Sequence, residues 1–131
     1  MGVIRQHIRL GNIAAPQLEE IDANALVDTG RLELCIPQHV ANQLRLPVIS
    51  EREVTLADGR RQIVPYVGGV LIEVFGRKTV QSANVLGDEV LLGAVPMESL
   101  DLVVHPARLQ IMPNPDSPNI PASVAKGVRL R

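Results

Sequence analysis

Aromatic residues are nearly missing: the sequence has no tryptophan, one tyrosine and one phenylalanine. That leaves too little ring surface for base stacking. Neither sign of charge dominates, with 13 basic against 14 acidic residues. No basic stripe exists to neutralise phosphates, so no nucleic-acid partner is expected. A single cysteine, Cys35, excludes an internal disulfide framework and a Cys-x-x-Cys metal site. Its neighbours Leu34 and Ile36 predict a buried, inert thiol, and such sparse cysteine suits a reducing compartment. No apolar run nears the roughly 18 residues of a membrane-spanning helix, so no membrane partner is expected. Arg5 and Arg9 interrupt the N-terminal stretch, which does not read as a signal-peptide core. The expectation is a cytoplasmic protein. His7, His39 and His105 lack metal-ligand spacing, and no metal or other cofactor is expected.

What the chain does have is valine, isoleucine and leucine in short runs, punctuated by ten glycines and ten prolines. That is the signature of many short strands, and the length fits one domain. Strands are predicted over 3–10, 18–27, 32–36, 53–56, 62–67, 70–75, 79–86 and 90–92, with 101–104 and 108–112 completing the sheet. Helical turns are predicted after Pro37 and at Pro96, where a missing amide hydrogen is tolerated. Ala57-Asp58-Gly59-Arg60 between alternating runs predicts a hairpin. Gly68-Gly69 is expected to break the chain, and Asp22 to lie in a turn. Beyond Met112, four prolines within nine residues cannot sit in a sheet interior. The expected organisation is one domain at 1–112 and an extended tail at 113–131. A faint internal echo links "LVDTG" to "VLLGAVP", each an apolar strand ending in glycine.

Asp28-Thr29-Gly30 places a carboxylate at the end of an apolar strand. Two carboxylates within about 3 Å of each other share one proton, so that one can take a proton from water while the other donates to a carbonyl. The chain has one such motif. A second copy of the chain, placed by a two-fold axis, would supply the other.

In order and spacing, Val27-Asp28-Thr29-Gly30, the hairpin about thirty residues on, and Leu91-Leu92-Gly93 resemble the retropepsin-like aspartic proteases, most closely their small bacterial members. The resemblance spans about residues 18–112. It implies an all-β, closed acid-protease barrel with one or two short helices, homodimeric, acting as an aspartic endopeptidase on a peptide or protein substrate. Asp28 would be the catalytic aspartate. Thr29 would tie the two active-site loops together, and Gly30 would let the loop approach closely; a glycine there can also take backbone angles closed to other residues. Leu92 and Gly93 would thread beside that loop. Ala57, Asp58, Gly59 and Arg60 would form a flap over the substrate.

Arg31 departs from the family, which carries a small residue there. Turned towards Asp28, its guanidinium would favour the ionised carboxylate and dissolve the shared proton. Turned towards Glu33, which would share a strand face with it, it would leave the site intact; that second orientation is the expectation. The alternative function is a catalytically silent dimeric module of the same fold that binds peptides or proteins. A third is a monomeric barrel without a cleft.

Overall fold

Period-two alternation becomes strands in the computed structural model, which describes residues 3–124. Along β1 (Ile4–Asn12), Ile8 and Leu10 turn inward while Arg5, His7 and Arg9 face out. The other elements are β2 (Ile21–Val27), β3 (Leu34–Ile36), α1 (Gln38–Gln43), β4 (Val48–Thr55) and β5 (Arg61–Val74). They continue with β6 (Arg77–Val85), β7 (Leu91–Leu92), α2 (Ala94–Ser99), β8 (Leu102–His105) and β9 (Gln110–Pro113).

Six strands close on themselves in the order β1-β2-β7-β3-β6-β5, with β5 returning to pair with β1. The barrel is mixed: β2–β7 and β3–β6 run parallel, the remaining contacts antiparallel. Its interior holds Ile8, Leu10, Leu34, Ile36, Ile72 and Leu92, each at most 1% exposed. Closure leaves no free edge in the barrel itself. β4 lies outside, bonded only to β5.

Three expectations need correction. Gly68-Gly69 does not break the chain; β5 runs through it, with a register slip against β6 and Gly69 at φ 74°. A bulge absorbs the extra residue while pairing resumes beyond it. Asp22 is not in a turn but within β2, opposite Arg9, because the β1–β2 connection sits earlier, after Asn12. β8 and β9 form a separate two-stranded sheet and do not extend the barrel. The echoed segments become β2 and β7, adjacent and parallel.

The start of the tail is fastened to its own chain. Asp101, left-handed at φ 54° just after α2, accepts hydrogen bonds from Asn114 Nδ2 at 3.0 Å and the Ala122 amide at 2.9 Å, and one from Ser117 Oγ. Arg77, only 5% exposed, sits 3.8 Å from the same carboxylate and donates to the Leu100 and Asp101 carbonyls at 3.2 and 3.0 Å. Residues 125–131 of the expected tail lie outside the described residues.

These donors, Ser117 first, then Ala122 and Asn114, hold Asp101 at about 2, below its ordinary 3.8. A carboxylate depressed in the folded state adds stability above its unfolded value and loses it as pH falls through the folded one. Wild-type stability, followed by urea unfolding, should therefore drop between about pH 4 and about pH 2. Asp101→Asn should be less stable at neutrality and lack that part of the drop.

Candidate active site

β2 delivers Asp28 to the mouth of the barrel. The Leu26 amide donates to the Val90 carbonyl at 2.9 Å and the Asp28 amide to the Leu92 carbonyl at 3.1 Å. Parallel pairing with β7 thus continues up to the acidic residue. The chain then turns: the Arg31 amide donates to the Asp28 carbonyl at 3.2 Å, and Asp28 Oδ1 accepts the Gly30 amide at 3.0 Å. This side-chain-to-backbone turn is one that aspartate forms readily. The Asp28 side chain stays 40% exposed.

Gly30 has no left-handed φ, contrary to the expectation. Its value is room: a Cβ there would lie 3.2 Å from Asp28 Oδ1. Thr29 is exposed, and among the described residues its hydroxyl has no hydrogen-bond partner.

β7 passes between β2 and β3, which are consecutive in the chain but do not pair with each other. Leu92 and Gly93 are buried in this junction and line no cleft. A Cβ on Gly93 would stand 2.5 Å from the Glu33 carbonyl oxygen and 2.8 Å from that of Leu32. The first amides of α2 complete the contact, Ala94 donating to Arg31 O and Val95 to Leu32 O, both at 2.8 Å. Helix-end donors that would otherwise lack partners therefore clamp the loop that follows Asp28.

Arg31 does not turn to Glu33. Its Nε lies 3.6 Å from Asp28 Oδ2. The expectation assumed a strand face shared by residues 31 and 33, but β3 begins only at Leu34, and the turn brings residue 31 back over residue 28. Glu33 is engaged elsewhere: Oε2 accepts from Asn84 Nδ2 at 2.9 Å, and Oε1 is 3.5 Å from Arg52 Nη1. Such an exposed Asp–Arg pair adds little stability, yet it sets a permanent cation beside the carboxylate.

A cleft of about 420 Å³ opens beside the turn, walled by Gly30 to Glu33, by Cys35, by Asn84 and Leu86, and by Arg52, Val54 and Thr55 of β4. The hairpin meets the cleft along β4 and not at its tip. Ala57, Asp58, Gly59 and Arg60 form a self-contained turn, with Gly59 at φ 86° and Asp58 holding the Arg60 amide at 3.0 Å and its Nε at 2.6 Å. Cys35 faces the cleft, on the opposite side of β3 from Leu34 and Ile36, and is half-buried, so the expected core thiol is corrected to a wall residue. Burial pushes its thiol above the ordinary range, outweighing the pull of Arg31 and Asn84. Sequence reasoning missed Arg52 and Asn84. Only strand alternation pointed to them, and it cannot say which outward face meets a cleft. Asn84, 6% exposed, takes its orientation from Glu33, and among the described residues its Oδ1 has no partner.

No protein-family model matches this chain, and no curated protein does either. The site must therefore be read from its own geometry. Among the described residues no group of three His, Cys, Asp or Glu side chains converges as a metal site, and no helix is long and apolar enough to cross a membrane.

Gly93→Ala should force the loop after Asp28 away from β7. Overpacking of this kind costs about 1–3 kcal/mol, readable as a lower urea midpoint. Leu86→Ala, on the cleft wall and away from that junction, should cost less.

Proposed function

We propose that the chain is a retropepsin-like aspartic endopeptidase, active as a homodimer. The observation that carries this reading is the threading of β7 between β2 and β3, which fixes Asp28 on a tight turn; Asp28 itself is not in the cleft lining, but Gly30 and Arg31 of that turn are. Two features of the turn favour a second copy against it. The Asp28 carboxylate is 40% exposed, and the Thr29 hydroxyl beside it has no partner among the described residues. A two-fold axis through this point brings each group against its own twin.

In the dimer the two Asp28 carboxyls share one proton. The ionised one takes a proton from a water, whose oxygen attacks the scissile carbonyl carbon. The protonated one donates to the carbonyl oxygen. The tetrahedral diol collapses as one carboxyl gives its proton to the amide nitrogen, the other carboxylate takes a proton from a diol hydroxyl and the C–N bond breaks, leaving an acid, an amine and a singly protonated pair. An extended peptide suits a cleft bounded by strand backbone, with alternate side chains entering its walls. A reducing, cytoplasmic setting suits the Cys35 thiol in the wall.

One contact favours the second reading, a silent peptide-binding module: Arg31 Nε at 3.6 Å from Asp28 Oδ2. A cation there works against the shared proton. Peptide-library digestion across pH separates the two. Wild type should cleave best in acid, and Asp28→Asn should abolish cleavage while the dimer persists in sedimentation. Arg31→Ala should raise kcat at neutral pH. An Asp28→Asn variant as active as wild type overturns the enzyme.

A further inference from the structure

The cleft beside the acidic turn is unevenly charged. Its walls carry two cations, Arg31 and Arg52, and one anion, Glu33. The anion is already committed: Glu33 Oε2 accepts from Asn84 Nδ2 at 2.9 Å, and Oε1 lies 3.5 Å from Arg52 Nη1. Arg52 is held a second time, its guanidinium lying over the Tyr66 ring, 3.8 Å from the centroid. Arg31 is the loose charge. Its side chain is 45% exposed, and among the described residues its one ionic contact is Nε to Asp28 Oδ2 at 3.6 Å. That is too long for a hydrogen bond, and the two Nη groups are left without a partner among those residues.

The contact falls on the oxygen that the reaction needs. Asp28 Oδ1 holds the Gly30 amide at 3.0 Å, so Oδ2 is the one left to meet a water or a second carboxyl. Arg31 covers it weakly, because a half-exposed ion pair contributes little. A carboxylate that grips both arms of a guanidinium instead makes two charge-assisted hydrogen bonds, each about twice as strong as a neutral one. An incoming carboxylate therefore outcompetes Asp28 for Arg31.

We infer that the cleft selects substrates with a carboxylate close to the bond that is cleaved, and that Arg31 is the specificity residue that reads it. In turning to the substrate, Arg31 gives up Asp28 Oδ2 and takes with it the cation that works against a shared proton. The right substrate thus unlocks the site it enters. A basic residue in the same place faces Arg31 and Arg52 and finds no uncommitted acidic group on the wall. An extended peptide rises about 3.3 Å per residue, so the acidic position lies within about two residues of the reacting bond. The unlocking rests on the peptidase reading; the preference in binding does not.

The test uses C-terminally amidated peptide libraries with Glu, Gln or Lys fixed at one position at a time, at about pH 6, where a carboxyl is ionised. A Gln series with free C-termini runs beside them. For wild type, kcat/KM on the best Glu series should exceed that on its amidated Gln counterpart about three- to ten-fold, with the Lys series lowest. Arg31→Ala should raise kcat on Gln peptides, raise KM on Glu peptides and erase the preference. Arg61→Met, which removes a hairpin cation paired with Glu53 outside the cleft lining, should leave the preference intact. Binding of the same peptides to Asp28→Asn, followed by fluorescence anisotropy, should keep the Glu-over-Gln order, and adding Arg31→Ala should abolish it. A gain in the amidated Glu series assigns the carboxylate to a side chain, and a gain only in the free-ended Gln series assigns it to a chain end; both sustain the site. A gain in neither, or a preference that survives Arg31→Ala, overturns the inference and leaves the peptidase standing. Ordered binding with no cleavage by wild type sustains the inference and sinks the peptidase instead.

Discussion

The insertion of β7 between β2 and β3 is the constraint from which the site follows. Two strands joined by a short connection ordinarily pair with each other. Here a third strand parts them, so the connection carrying Asp28 is held open at the barrel mouth and cannot collapse into a hairpin. Gly93 makes this possible, since the backbone of Leu32 and Glu33 occupies the space a side chain would need. α2, starting at the next residue, spends its first two amides on the same loop. The acidic turn is therefore fixed by main chain on both sides before any side chain contributes.

Side chains then set the character of the site. Asp28 gives one oxygen to its own turn and shows the other to Arg31. Glu33 leaves that turn and binds the barrel wall through Asn84 and the hairpin through Arg52. The two arginines thus divide two carboxylates between them, one pair at the proposed reacting centre and one between the loop and the hairpin. Behind α2, Asp101 and Arg77 gather the start of the tail, so the helix that clamps the loop is itself anchored from the far side.

Much of this was legible in the residues. The alternating runs marked the strands, Pro37 and Pro96 the short helices, and Asp58-Gly59 the hairpin turn. Asp28 stood out because an acidic residue closing an apolar strand is unusual. What failed was whatever depends on the third dimension. Arg31 and Glu33 look like neighbours on a strand face until β7 is known to bend the loop around Gly93. Gly30 was legible as a place of close approach, but its special backbone angles were not needed: the structure uses it for clearance alone. Leu34 and Ile36 made Cys35 look buried, but period two puts it on the opposite face. Val67-Gly68-Gly69-Val70 reads as an end and is a bulge, since strand pairing on either side outweighs the local preference of glycine. Arg52 and Asn84 carry no signal beyond strand alternation; they matter because distant strands bring them to one cleft.

The central claim is that one active centre is built from two chains. It is tested by mixing wild-type subunits with a varying excess of Asp28→Asn subunits, letting the dimers exchange, and measuring peptide hydrolysis against the wild-type fraction. A centre that needs both carboxyls loses activity as the square of that fraction. Activity that falls only in proportion to it, as independent single-chain sites require, contradicts the account.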